Sequence, residues 1–191
     1  MKNLVKPFLI LVVALGAFAF TSPIKKQIDV KESSITWTGK KLIGKAHTGT
    51  INLQSGYLEM DGDKLVGGSF VVDMTSIKNT DLSEEYGAKL VGHLSSDDFF
   101  GVAEHPTATL AITKIAAGPS ENQYYVGADL TLKGITQAIK LTIEMGDGTA
   151  TTKLKFDRSK HNVKYGSGSF FDDLGDKAIS DMIDLDISLT F

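Results

Sequence analysis

The chain has 191 residues, 42% of them hydrophobic, and a formal net charge of −3, which is one domain's length with enough apolar content for a sizeable core. It contains no cysteine, which excludes disulfide staples, thiolate metal ligands, a cysteine nucleophile and a lipid-modified cysteine. Its acidic balance argues against nucleic acid as a partner.

Residues 1–20 read as a secretory signal peptide, with Lys2 and Lys6 at the front, an apolar run from Phe8 to Phe20, and Ala17-Phe18-Ala19 as a small-x-small cleavage site. That run falls short of the roughly 20 residues a spanning helix needs, so export with cleavage is favoured over a membrane anchor. Cleavage removes two lysines and no acid from a chain of net charge −3, leaving a mature domain, 21–191, at −5. The expected location is the periplasm or the exterior, with no stable membrane span. "TSPIKK" then reads as a short polar leader into a single domain.

From there the dominant pattern is alternation with period two, which sends successive side chains to opposite faces of a sheet. Strands are expected at Ser34 to Leu42, His47 to Leu53 and Tyr57 to Asp61. The next follows the "DGD" turn, with Val66, Gly68, Phe70, Val72 and Met74 on one face. Helical periodicity is confined to Leu82 to Leu94. Alternation resumes with Ala108, Leu110 and Ile112, then Val126, Ala128, Leu130 and Leu132, then Ile139, Leu141, Ile143 and Met145, then Leu154 and Phe156. It closes with Ile183, Leu185, Ile187, Leu189 and Phe191. About eight strands, each with one wet face, disfavour a parallel α/β fold and point to a sandwich or a barrel. A barrel of that size packs solid or holds one small ligand.

Little in the sequence points to catalysis. His47, His93, His105 and His161 show no metal-ligand spacing, and no Gly-x-Ser-x-Gly elbow accompanies any serine. No metal, no cofactor and no enzymatic activity are expected, although His47 and His93 could meet in space. Gly39, Gly44, Gly49, Gly67 and Gly68 fall in or beside the early strands, where glycine marks bulges, bends or close backbone approach. In "SSDDFF" the aspartates are expected to cap a helical turn. Phe99 and Phe100, with Phe170 and Phe171 of "FFDD", either plug one end of the barrel or line an apolar mouth.

"LVGGSFVVDMTSIKNTD", "KLVGHLSSDDFFGVAEHPTATLAITKI", "YVGADLTLKGITQAIKLTI", "FDRSKHNVKYGSG" and "DLDISLTF" together resemble, in order over nearly the whole mature chain, the YceI-like, lipocalin-like family of exported bacterial proteins. The resemblance implies an all-β fold, an eight-stranded antiparallel barrel with a short helical insertion near residues 82–100. It implies a tunnel holding a long-chain amphiphile of polyisoprenoid or fatty-acyl type, for sequestration or transport, and a possible homodimer. On this chain it makes Asp97 a cap and Phe99 and Phe100 inward plugs. The sequence departs from relatives in "SKHNVKYGSGSFFDDLGD" and "WTGKKLIGKAHTGTI", which bears on the head group.

The expected ligand-binding residues, at the tunnel or its mouth, are Trp37, Phe70, Phe99, Phe100, Leu110, Leu130, Leu141, Ile143, Phe156, Phe170 and Phe171. For the strand positions among them, ordinary core packing is an equal reading. A chain of roughly 15 to 20 carbons at about 0.8 kcal/mol per CH2 offers on the order of 10 kcal/mol before entropic costs. The alternative from another class is a solid-core barrel acting as an envelope stress or interaction protein without a lipid ligand.

Overall fold

The computed structural model describes residues 22–191. The expected signal peptide, residues 1–20, lies outside the described residues. In chain order the elements are β1 (Ile24–Gln27), β2 (Ser34–Lys40), β3 (Ala46–Asp61), β4 (Lys64–Asn79), α1 (Glu84–Ser95), β5 (Thr107–Ala117), β6 (Gln123–Leu132), β7 (Ile135–Gly146), β8 (Thr149–Asp157) and β9 (Met182–Thr190). Each of β2 to β9 pairs antiparallel with two neighbours in the cycle β2-β9-β8-β7-β6-β5-β4-β3, and the β3–β2 pairing closes the eight-stranded barrel. Closure leaves no free edge in the ring.

The short polar leader runs into a strand that the sequence did not announce, Ile24–Gln27. β2 pairs only with Ala46 to Ile51 of the 16-residue β3, which leaves the far part of that edge open. Ile24 to Gln27 cover it, pairing with Met60 to Tyr57. Backbone hydrogen bonding needs no apolar side chain, so "IKKQ", exposed along its length, carried no alternation to reveal it. The two strands expected at His47 to Leu53 and Tyr57 to Asp61 are one, continuous through register shifts at Thr50/Asn52 and Leu53/Ser55.

A further shift faces Val66. Glu59 pairs with Gly67 but Met60 with Leu65, so one extra residue of β4 bulges out. Leu65 therefore points inward, 2% exposed, and Val66, expected inward, is 44% exposed. The β6–β7 turn is Lys133-Gly134 with φ of +51° and +73°, the two left-handed residues of a turn whose twist matches a hairpin.

At one end of the barrel the interior is filled by Phe70, Leu58, Val126, Leu141, Ile143 and Leu189, all buried. The other end is covered by α1, the 96–106 segment after it, and the 158–181 loop between β8 and β9. α1 starts after Ser83 with Glu84 and Glu85 in its first turn, where carboxylates favour the helix dipole. Ser96 ends it, returning its hydroxyl to the His93 carbonyl at 2.7 Å.

Candidate functional site

Beneath that covered end lies a cavity of about 130 Å³ with an apolar surface. Its wall comes from nearly every strand because each sends inward residues at period two: Trp37 from β2, Ile51 from β3, Val72 and Met74 from β4, Leu130 and Leu132 from β6, Phe156 from β8, and Ile183 and Leu185 from β9. Leu94 of α1, with Phe99 and Phe100, forms the roof. Phe99 is 4% exposed and stands edge-on to Phe100 at 4.8 Å between ring centroids.

The roof is held by polar contacts. Lys133 at the β6–β7 turn donates to the carbonyls of Asp97 (2.7 Å) and Phe99 (2.8 Å). Gly101, at φ +58°, sends its N–H to the Ser96 carbonyl at 2.9 Å and turns the chain back. Asp97 is not the expected cap. The helix has already ended at Ser95, so Asp97 starts the tight turns that follow, and its carbonyl rather than its carboxylate makes the contact.

Arg158 is the feature the strand pattern did not announce. It lines the cavity yet is fully buried, its guanidinium 5.2 Å from the Phe99 ring centre. Nε donates to the Ser180 carbonyl (3.1 Å), Nη1 to Val163 (2.9 Å) and Nη2 to Ile179 (3.3 Å). Asp181 Oδ1 lies 3.2 Å from Nη2, close enough for an ion pair though too oblique for a hydrogen bond. Burial pulls the guanidinium below its ordinary pKa, opposed by the charges of Asp181 and Asp157, and an arginine so placed stays protonated. One side chain thus ties the 158–181 loop to the barrel and sets Ile179 and Ser180 into the cavity wall.

Of the residues expected at a tunnel or mouth, the fold brings Trp37, Phe99, Phe100, Leu130 and Phe156 together around this cavity. Phe70, Leu141 and Ile143 are buried in the packed opposite end, and Leu110, beside Phe70 and Leu130 in register, packs against the core without reaching the cavity. Phe170 and Phe171 lie outside it, 42% and 49% exposed. Both backbone N–H groups bond the Ser167 carbonyl, a turn that lifts the rings to the surface, where Lys164 covers Phe170 at 5.4 Å. Phe171 borders a shallow outer depression with Asp97, Lys133 and Tyr165.

The histidines separate. His47 Nδ1 lies 3.0 Å from Asp81 Oδ2, while His93 packs between Phe99 and Tyr165 with its Nε2 buried and unpartnered. Burial alone would raise the Asp81 pKa, but hydrogen bonds from Asn79, His47 and the Thr48 N–H outweigh it and hold the carboxyl below its usual range. Among the described residues no hydroxyl hydrogen-bonds to His47, so the pair ties β3 to the β4–α1 connection without a nucleophile beside it. Asp184, outside the barrel, is also held below the usual range, by the hydrogen bond from Lys155 and then by the charges of Lys155 and Lys40, against its own partial burial. Among the described residues no group of His, Asp and Glu gathers as a metal site.

Comparison with solved structures finds the same barrel. BcnA of Burkholderia cenocepacia is 21% identical, with 86% of this chain and 99% of that one covered at a TM-score of 0.67. A polyisoprenoid-binding domain from Saccharophagus degradans implicated in plant cell wall breakdown is 19% identical, over 85% and 95% of the two chains, at 0.60. The YceI protein of Campylobacter jejuni is 19% identical, over 72% and 81%, at 0.54. No curated protein matches. The profile of the YceI-like domain covers residues 27–191, from the end of β1 to the last residue of the barrel, and the chain belongs to that family.

Proposed function

We propose that the protein is an exported carrier that holds the hydrocarbon chain of an amphiphile in the cavity under the Phe99–Phe100 roof, in the periplasm or outside the cell. The observation that carries this reading is the apolar cavity of about 130 Å³ at one end of an otherwise packed barrel. An apolar cavity of roughly 150 Å³ accepts a guest the size of benzene, so the space as shaped takes a segment of about six carbons. At about 0.8 kcal/mol per CH2 that segment offers about 5 kcal/mol before ordering costs. A longer chain, of polyisoprenoid or fatty-acyl type, places its remainder beyond the roof or displaces Phe100, which is only half-buried. The polyisoprenoid-binding name of the Saccharophagus domain supports the ligand class.

The wall contains one alanine, Ala108, 6% exposed on β5. Ala108→Phe projects a ring into the cavity and fills it without adding a polar group. The expected result is at least a tenfold loss of affinity for a fluorescent fatty-acid probe, about 1.4 kcal/mol, with cooperative unfolding retained. Unchanged probe affinity in the folded variant would remove the cavity from the account.

A further inference from the structure

We propose that the turn between β2 and β3, Lys41 to Lys45, is a membrane-docking tip that sets the cavity end of the barrel against a bilayer containing anionic lipid; this rests on the hydrocarbon-carrier reading above. Ile43 is 72% exposed, more than any other large apolar side chain among the described residues, and its neighbour Leu42 is 65% exposed. Lys40 and Lys41 precede the pair and Lys45 follows it. In a chain of net charge −3, no aspartate or glutamate occurs between Glu32 and Glu59. Lys40 is paired with Asp184 at 3.7 Å, whereas Lys41 and Lys45 have no ion-pair partner among the described residues.

The tip is joined to the cavity. Lys41 forms a bridge with Ile179, the Leu42 N–H donates to the Ala178 carbonyl at 2.9 Å, and the Ser180 N–H donates to the Lys40 carbonyl at 2.9 Å. Ile179 and Ser180 line the cavity, as do Trp37 and Gly39 of the strand that leads into the tip. Two aliphatic side chains can enter the acyl boundary while flexible lysine stems hold their ammonium groups at the phosphates, and each lysine near an anionic surface adds to the attraction. Docked this way, a chain passes between bilayer and cavity beside Ile179 with little exposure to water.

A bilayer fits the tip better than a protein does. A stable protein interface covers about 800 Å² on each partner, which a five-residue convex turn does not supply, whereas a bilayer needs depth and charge rather than a matching surface. Phe170 and Phe171 are exposed at the same end, but Asp172, Asp173 and Asp176 follow them and outnumber the neighbouring Lys164 and Lys177, so this part of the rim lacks the excess of positive charge that the tip carries. The contact is therefore the tip and not the whole rim.

The test is co-sedimentation of the mature protein with phosphatidylcholine vesicles, with and without phosphatidylglycerol. The wild type is expected to partition onto the phosphatidylglycerol vesicles and to be released by salt. Leu42→Asp with Ile43→Asp, and separately Lys41→Glu with Lys45→Glu, should each lower partitioning at least about tenfold, with unchanged melting because these side chains are exposed. Vesicle binding equal to wild type in both folded variants overturns the proposal, as does a wild type that ignores both vesicle types. Tip variants that lose a purified envelope protein while vesicle binding stays intact overturn it in favour of a protein partner. A micellar fatty-acid probe separates the two readings: tip variants should bind it as wild type does, and failure of the wild type to bind it defeats the carrier reading whatever the vesicles show.

Discussion

Arg158→Met should lower the unfolding free energy by about 3–5 kcal/mol, the usual result of removing one partner from a buried charge network. The methionine fills much of the space but leaves the carbonyls of Val163, Ile179 and Ser180 without their donors and Asp181 without its cation. For a domain of this length each kcal/mol corresponds to about 2–4 °C, so the melting midpoint should fall by roughly 6–20 °C. Adding Asp181→Leu should recover part of that loss, because it removes the carboxylate left unpaired, and the two substitutions should be non-additive. Thermal unfolding of the two single variants and the double variant checks this. A midpoint within about 2 °C of wild type for Arg158→Met would mean that the 158–181 loop is held by something other than this guanidinium.

Gly49→Ala should be nearly as severe, for a different reason. Gly49 sits on β3 where β4 and the Trp37 indole both close on it. A Cβ built there would overlap the carbonyl oxygen of Lys78 and the indole carbons of Trp37. A backbone oxygen cannot rotate away as a side-chain tip can, so the β3–β4 pairing must open or the indole must leave its site. Overpacking of this kind costs about 1–3 kcal/mol and sometimes more. Trp37 is the only tryptophan, it lines the cavity, and its Nε1 donates to the Thr50 carbonyl at 3.3 Å. Its fluorescence therefore reports the same event: a shifted emission maximum together with a lowered urea midpoint is expected. Wild-type emission and stability would show that the strands accommodate the methyl group without moving.

These two positions mark the boundary of what the sequence discloses. The barrel was legible because a strand with one wet face must alternate, and β6, β7 and β9 do so without interruption. Alternation fails where backbone geometry intervenes: the bulge opposite Met60 exchanges Leu65 for Val66, and β1 pairs through main-chain groups alone. Glycine in the early strands signalled close approach in general, but that Gly49 meets Lys78 depends on a pairing across some thirty residues. The cavity itself was half legible. Inward parity put Trp37, Leu130 and Phe156 on the correct face, but parity says nothing about height along the barrel, so Phe70, Leu141 and Ile143 share the face and sit in the packed end. Phe170 and Phe171 look like roof residues by composition, and only the hydrogen-bonded turn at Ser167 places them outside. Arg158 stands in the "FDRS" segment that carries the resemblance, but its burial depends on the 158–181 loop folding over it, which no local pattern discloses.

The carrier reading rests on whether the cavity takes a hydrocarbon chain, and native mass spectrometry of the mature protein, followed by denaturing extraction of what it holds, tests that most directly. A discrete added mass that resolves to a long-chain amphiphile, absent from Ala108→Phe, is the predicted result. A bare mass that persists after incubation with prenol and fatty-acid mixtures would contradict it and leave a barrel that binds through its surface alone.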